Sequence, residues 1–499
     1  MTVLAAGNGE LLAPYQLLVD NEWRPARSGR SYPSINPYSR RPWASIPDGD
    51  EVDVGDAVQA ATRALRGPWG AMTGFERARL MRRLAELIAR DAHELAVIES
   101  TDNGKLLREM QGQLEYLPEW LYYFAGVADK LEGSVIPSDR KNFHVYTRHE
   151  PVGVVGAIVP WNSPLLLLMW KLAPALAAGC PVVVKPSDYT PVSALEFGRR
   201  VVEAGFPPGV FNVVTGQGPA VGQALVTHPL VSRVAFTGST TVGREIARAA
   251  GNHLARVSLE LGGKSAQLVF PDADLELAAN GVMAGIFAAT GQTCIAGSRL
   301  VVHEDVREPL LQLILERART IRLGDPLDPA TEMGPLANEV QLKTVLGFIE
   351  RARQDGAEVV LGGRVDEGLS GLFVRPTIVV NVTAEMEIAQ EEIFGPVLTV
   401  MSFTDMDEAI GLCNSTRYGL AAGVWTKDLS RAHLAAERLQ AGTVWVNCYR
   451  VVAPNVPFGG VHLSGWGREN GLDAVRSFTE TKAVWIQLDP TPRDPFKLG

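Results

Sequence analysis

The chain has 499 residues, more than one ordinary hydrophobic core accommodates, so two or three domains are expected. Hydrophobic residues at 46% and charged residues at 21% fit a compact soluble protein and exclude a disordered or coiled one. A net charge of −9, with no long basic run, argues against a nucleic-acid partner.

Residues 1–20 lack a basic region followed by an apolar core, so no signal peptide is read there. Residues 75–99 place Leu80, Leu84, Leu87, Ile88, Leu95 and Ile98 at helical spacing and predict an amphipathic helix. Residues 133–150 alternate polar and apolar side chains and read as an extended excursion. Strands are then predicted at 152–159, 181–184, 209–214 and 232–236, with helices at 173–178 and 193–204 between them. The greasy stretch 164–170 is stopped by Lys171 far short of a membrane span. A second series of strands follows at 265–270, 298–303, 358–361, 373–380, 397–403 and 443–447, with helices at 307–321 and 338–355. This rhythm implies βαβ units and two mostly parallel sheets, joined near the Leu261-Gly262-Gly263 turn. Residues 477–486 read as a last strand. Neither it nor 133–150 fits the two sheets, so both are expected to pair with another subunit.

The four cysteines, Cys180, Cys294, Cys413 and Cys448, are too few and scattered for a disulfide framework or a CxxC site. The eight histidines show no HExxH-like spacing, so no metal is expected. A cytoplasmic protein with reduced thiols and no membrane association is the expectation.

Several short constellations carry chemistry. Pro160-Trp161-Asn162-Ser163-Pro164 follows a strand, where the Asn162 amide can donate to a developing oxyanion. Lys185-Pro186-Ser187-Asp188 lies beyond a strand's carboxyl end, where a carboxylate can accept from ribose hydroxyls. Phe236-Thr237-Gly238-Ser239 is a strand, a glycine turn and a helix start, suited to a pyrophosphate. It lacks GxGxxG spacing, and Gly216-Gln217-Gly218 reads as a plain loop. Leu259-Glu260-Leu261-Gly262-Gly263-Lys264 sets a carboxylate in a tight glycine turn. Gly291-Gln292-Thr293-Cys294-Ile295-Ala296-Gly297 sets a thiol between glycines, which leave a substrate carbon room to approach. A nucleophilic sulfur and a separate carboxylate base suffice to make and hydrolyse a thioester. Glu391-Glu392-Ile393-Phe394-Gly395-Pro396 offers carboxylates and a ring. The segments Pro457-Phe458-Gly459-Gly460 and Ser464-Gly465-Trp466-Gly467-Arg468-Glu469 suit a substrate-facing loop.

Seven of these motifs, in this order, resemble the NAD(P)-dependent aldehyde dehydrogenases from about Leu18 to Ile486. The resemblance implies an α/β fold: a modified Rossmann cofactor domain (1–127 and 151–262), a second α/β catalytic domain (263–477) and a small β oligomerisation arm (128–150 and 478–499). It implies Cys294 as nucleophile, Glu260 as base for the hydrolytic water, Asn162 with the Cys294 N–H as oxyanion hole, and Glu469 as a secondary proton relay. The cofactor, NAD with NADP possible, is expected to meet Ile158, Pro160, Trp161, Leu261 and Gly238. Lys185 and Asp188 would serve the adenosine ribose, Ser187 would also meet the cofactor, and Ser239 would serve the pyrophosphate, Glu392 the second ribose and Phe394 the nicotinamide. Ser163, Leu167, Trp170, Ala288, Thr293, Ile295 and Phe458 would line the substrate pocket. A homodimer or homotetramer acting on a small aldehyde is implied.

Departures from the family pattern sharpen this. Asp188 stands where NAD-preferring members have Glu, Ser163 and Ala288 where bulkier residues are common, and His462 where Lys is common. The two lost wall groups point to a bulky, aromatic or terpenoid aldehyde. The alternatives are a CoA-acylating semialdehyde dehydrogenase, against which Glu260 argues, and a catalytically silent homologue, against which Cys294, Glu260 and Asn162 together argue.

Overall fold

Short runs rich in Val and Ile become most of the parallel strands of two sheets. A computed structural model of the chain describes residues 13–369 and 371–489, with 494, 496 and 497. The signal-peptide reading of 1–20 and the end of the expected arm therefore fall partly outside the described residues.

The first sheet has five parallel strands at its centre, in the order Arg256–Glu260, Val231–Thr237, Val154–Ile158, Val182–Lys185 and Phe211–Val213. Antiparallel pieces close its edges: Gly465–Trp466 on one side, Leu17–Val19 with Glu22–Arg24 on the other. Ile158 lies level with Lys185 and Phe236, and Thr237 with Glu260, so four strands end along one line. The strand order reverses around Val154–Ile158. Such a crevice, outside the carboxyl ends at a switch point, is where open α/β sheets bind ligands.

The chain leaves this sheet at Glu260 and enters the second at Ala266. That sheet runs Glu358–Leu361, Thr377–Val380, Val397–Phe403, Arg299–His303, Ala266–Val269, Ala421–Trp425, Thr443–Val446, parallel throughout except for its first pair. A third, antiparallel sheet pairs Thr479–Gln487 with Phe143–Pro151 over nine residues, and Val135–Ile136 beside it. The two extended pieces that fitted neither large sheet thus pair with each other.

Three departures from the sequence expectations have local causes. The helix expected over 75–99 is two, Gly74–Arg90 and Ala92–Asn103, broken at Asp91, whose carboxylate binds Arg90 and Arg200. The helix expected at 173–178 begins at Pro164 and runs to Ala178. Proline suits a first helical position, and the Leu165 N–H donates to Glu99 Oε1 at 2.8 Å. This helix is apolar nearly all round and correspondingly buried. Strands Arg256–Glu260 and Ala421–Trp425 were not expected, because Arg, Glu, Ala and Gly carry little strand propensity. Glu260 therefore ends a strand, and the glycine turn follows it. Among the described residues no helix is long and apolar enough to cross a membrane.

A Cβ on Gly442 would lie 1.6 Å from the Gly459 carbonyl oxygen. Backbone cannot retreat as a flexible side chain would, so Gly442→Ala should cost about 3 kcal/mol by overpacking. Chemical denaturation that left the midpoint unchanged would contradict this packing.

Candidate active site

The loop before Cys294 is built from unfavourable backbone. Ala289 (φ 53°), Thr290 (φ 56°) and Gly291 (φ 69°) are all left-handed. For a β-branched residue such as Thr290 this conformation is a real outlier, and such strain concentrates at functional sites. The loop is held by named contacts. The Ala289 N–H donates to Glu109 Oε1 at 2.9 Å and Thr290 Oγ1 to the Gly334 carbonyl at 3.1 Å. Gln292 Oε1 accepts from the Ala337 N–H at 2.9 Å. Gly291 has no alternative, since a Cβ there would lie 2.1 Å from Gly395 O. Asn162, buried just beyond strand Val154–Ile158, donates one amide hydrogen to Gln292 O at 3.0 Å. That bond fixes the amide's orientation and leaves its second hydrogen for an oxyanion.

Acids and thiol here are pushed towards their neutral forms. Burial, then the Glu392 and Glu260 charges, push the Cys294 thiol up to about 12. Glu260 is buried, and neither carboxylate oxygen has a hydrogen-bond partner. Burial first, then the nearby Glu469 charge, hold it well above the usual carboxylate range, while Lys171 and Arg468 pull it down. Gly459 presses close: a Cβ there would lie 2.7 Å from Glu260 Oε1. Lys171 Nζ pairs with Glu469 Oε1 and donates to Thr237 Oγ1 at 2.7 Å. The sequence assigned Glu469 a relay role but treated Lys171 only as an interruption of a greasy run. Its signal was a lone cation on a helix that is otherwise apolar.

A cavity of about 210 Å³ opens above the thiol. Its lining brings together Pro160, Trp161, Asn162, Gly238, Ser239, Leu261, Cys294, Glu392 and Phe394 from five separate motifs, and adds Thr237, Gly262, Gln341, Thr344 and Ile393. Phe394 is itself left-handed (φ 58°). Gln341 Nε2 holds that turn through Ile393 O at 2.7 Å and Phe394 O at 3.0 Å. The Phe394 ring meets Trp161 edge-on at 5.1 Å. Of the acid pair, Glu391 turns to Arg417, whereas Glu392 accepts from the Gly263 N–H at 3.0 Å. Burial pushes Glu392 up to about 7. Gly262 leaves room for that carboxylate, since a Cβ would lie 2.2 Å from Glu392 Oε2. Glycine backbone, the cap of helix Thr240–Gly251 at Ser239, and a buried carboxylate form a donor set that fits a dinucleotide.

Ile158, Lys185, Ser187 and Asp188 do not line this cavity. Lys185 and Ser187 are buried at the adjacent strand end. Asp188 Oδ2 accepts from the Gly218 N–H at 3.3 Å and lines a separate cavity of about 430 Å³ with Tyr32, Gln217 and Asn338. On the other side of the sulfur, Leu167, Trp170 and Phe458 belong to one apolar cluster, against which Cys294 and Ile295 pack. Trp170 and Phe458 rings lie 4.9 Å apart. Ser163 is buried beside Asn162, Ala288 is half-buried, and the Thr293 hydroxyl is buried without a partner.

A mostly parallel sheet with a cavity at its switch point, lined by a thiol, a buried carboxylate and the glycine turn at a helix start, has the layout of a nucleotide-dependent oxidoreductase. The chain belongs to the aldehyde dehydrogenase family, whose model matches residues 23–484. It is 46% identical to human aldehyde dehydrogenase 1A1 over 481 residues, 95% of each chain. It is 44% identical to an Acinetobacter baylyi dehydrogenase of (Z)-2-((N-methylformamido)methylene)-5-hydroxybutyrolactone, covering 97% of this chain and 99% of that one. The NAD+ complex of a Bacillus cereus aldehyde dehydrogenase superposes with a TM-score of 0.94 at 42% identity, over 95% of this chain and 97% of the other. The protein is an NAD(P)-dependent enzyme that oxidises aldehydes.

Because Glu260 must be ionised to act as a base, activity that depends on it is lost as pH falls through its raised pKa. Lys171→Met removes a cation that lowers that pKa. The acid limb of the kcat profile should therefore move to higher pH, and an unmoved limb would break the link.

Proposed function

We propose that the enzyme oxidises a bulky, aromatic or terpenoid aldehyde to its carboxylic acid, with NAD preferred, through a thioester on Cys294. The carrying observation is the convergence on one cavity of Cys294, Asn162, Gly238, Ser239 and Glu392, with Glu260 nearby and free of hydrogen bonds. Cys294 sulfur bonds to the carbonyl carbon as its proton passes to Glu260, which releases it again before the water step. The second Asn162 amide hydrogen and the Cys294 N–H receive the resulting alkoxide, each such donor being worth on the order of 3 kcal/mol. Ser239, Gly238 and Glu392 would hold the dinucleotide, and when bound its nicotinamide supplies the hydride acceptor. Phe394 and Trp161 orient that end of the cavity. Glu260 then takes a proton from water, which attacks the thioester, breaks the C–S bond and releases the acid. Glu469 and Lys171 give that proton an exit.

Preference for NAD follows from the Asp188 carboxylate, which repels a 2′-phosphate, with a shorter reach than Glu. Ser163 and Ala288 remove bulk, while Trp170 and Phe458 keep apolar faces. A large tail buried there contributes at about 25 cal/mol per Å². The Acinetobacter relative is itself named for a substituted lactone rather than a small aliphatic aldehyde. The sheet of Phe143–Pro151 and Thr479–Gln487 exposes Val135, Trp485 and Ile486, which supports a homodimer or homotetramer through this arm.

Glu260→Gln should give one NADH burst and then stall as the thioester, with steady-state kcat down about 10²-fold or more. Wild-type steady-state turnover would remove Glu260 from this role. In a panel of acetaldehyde, benzaldehyde and citral, each with NAD and NADP, kcat/KM should favour NAD and the two larger aldehydes. Acetaldehyde as the best substrate, or NADP equal to NAD, would overturn the respective assignment.

A further inference from the structure

Lys105 lies in the turn between helices Ala92–Asn103 and Leu107–Tyr116 and is only 1% exposed. Its ammonium donates to Ser163 Oγ at 2.9 Å. Among the described residues it makes no other side-chain hydrogen bond and no ion pair. One turn further on, Glu109 Oε1 holds the Ala289 N–H, while Glu109 Oε2 is buried without a partner. This turn therefore touches both walls of the nucleophile: Ser163, next to the oxyanion donor Asn162, and Ala289, which opens the strained run before Cys294. A second cation stands close. Arg450 Nη1 donates to Ala284 O at 3.0 Å, and its neighbour Tyr449 donates through its hydroxyl to Ile295 O at 2.9 Å. Burial foremost, opposed by the nearby Glu109 charge and reinforced by the Arg450 charge, lowers Lys105 to about 8, so it remains largely protonated near neutral pH.

We propose that Lys105 and Ser163 form an anion-recognition subsite beside Cys294 that selects aldehydes carrying a carboxylate at the end remote from the aldehyde. This rests on the reading of Cys294 as nucleophile and Ser163 as pocket wall. A dry ammonium with two N–H groups lacking acceptors is costly, and an apolar substrate tail does nothing to satisfy them. A carboxylate does, through charge-assisted hydrogen bonds. Ser163 Oγ accepts from Lys105, so its own O–H is free to donate to the same carboxylate. Leu167, Trp170 and Phe458 would still enclose the middle of a large substrate, which leaves the preference for size intact and adds a charged end to it.

The test compares kcat/KM within two matched pairs, 4-carboxybenzaldehyde against benzaldehyde and 4-oxobutanoate against butanal. It uses the full-length wild type, Lys105→Met, Lys105→Arg and Ser163→Ala. The wild type should favour the anionic member of at least one pair by about tenfold or more, the worth of a charged hydrogen bond. Lys105→Met should erase that preference, Lys105→Arg should retain most of it, and Ser163→Ala should reduce it. No anionic preference in the wild type, or an undiminished one in Lys105→Met, overturns the proposal. Should Lys105→Met not fold, an undiminished preference in Ser163→Ala overturns it instead. Faster turnover of the aliphatic pair than the aromatic pair would refute the preference for bulk while the charge ratio within each pair still reads out the subsite.

Discussion

The buried ion pair between Lys171 and Glu469 is the constraint on which the site turns. It joins helix Pro164–Ala178 to the glycine-rich C-terminal loop, and through Thr237 to the end of a central strand. Such a pair adds little net stability, because desolvation of both ions offsets their attraction. Its value lies in what it does to Glu260. Without a cation nearby, Glu469 and Glu260 would be two acids facing each other in a dry interior, and one of them would stay protonated. With Lys171 present, Glu260 can ionise at a cost set by burial rather than by repulsion alone. The C-terminal loop thus packs against Glu260: Gly465–Trp466 adds a strand beside Arg256–Glu260, and Phe458 and Glu469 exchange backbone hydrogen bonds at 2.7 Å.

A second constraint is conformational. Three successive left-handed residues precede Cys294, and Phe394, which lines the cavity with Cys294, is a fourth. The three that are not glycine each cost of order 1–3 kcal/mol and persist only where the surroundings over-determine them. Here they do, through Glu109, Gly334 and Ala337 around the thiol loop and through Gln341 around Phe394. The holding groups come from helix Leu107–Tyr116, residues 334–337 and helix Glu339–Gln354, so distant parts of the chain fix the sulfur and the ring together.

This division explains what the sequence disclosed. The motif residues Asn162, Gly238, Ser239, Glu260, Cys294, Glu392 and Phe394 were legible because each sits in a short string at a strand end or glycine turn, where backbone geometry advertises itself. Both sheets were legible from their Val-rich strands. Lys171, Gln341, Glu109 and Lys105 were not, because each is a single polar residue on or beside a helix. Its meaning depends on what a separate segment places opposite it. Lys171 reads as an interruption until Glu469, 298 positions away, supplies its partner. The break at Asp91 was hidden for the same reason, since Arg200 belongs to another helix. Strand Ala421–Trp425 was hidden because Ala-Ala-Gly carries no strand preference, and only its place between Ala266–Val269 and Thr443–Val446 makes it one.

Dryness has a consequence that reaches beyond the individual groups. Burial foremost moves the Cys294 thiol up to about 12, Glu392 up to about 7 and Glu260 well above its usual range, all three towards their neutral forms. A thiol with that affinity is a poor nucleophile until a base or a positive charge comes near, which guards it against adventitious reaction. Glu260 is raised in the same direction and by the same first cause, so the acceptor's proton affinity rises along with the donor's. A proton can then pass from sulfur, or from water, to Glu260 with less penalty than an ordinary carboxylate would impose. The hydrophobic packing of Leu167, Trp170 and Phe458 therefore does more than shape a pocket. By excluding water it raises the thiol and the carboxylate together, so both groups shift in the same direction.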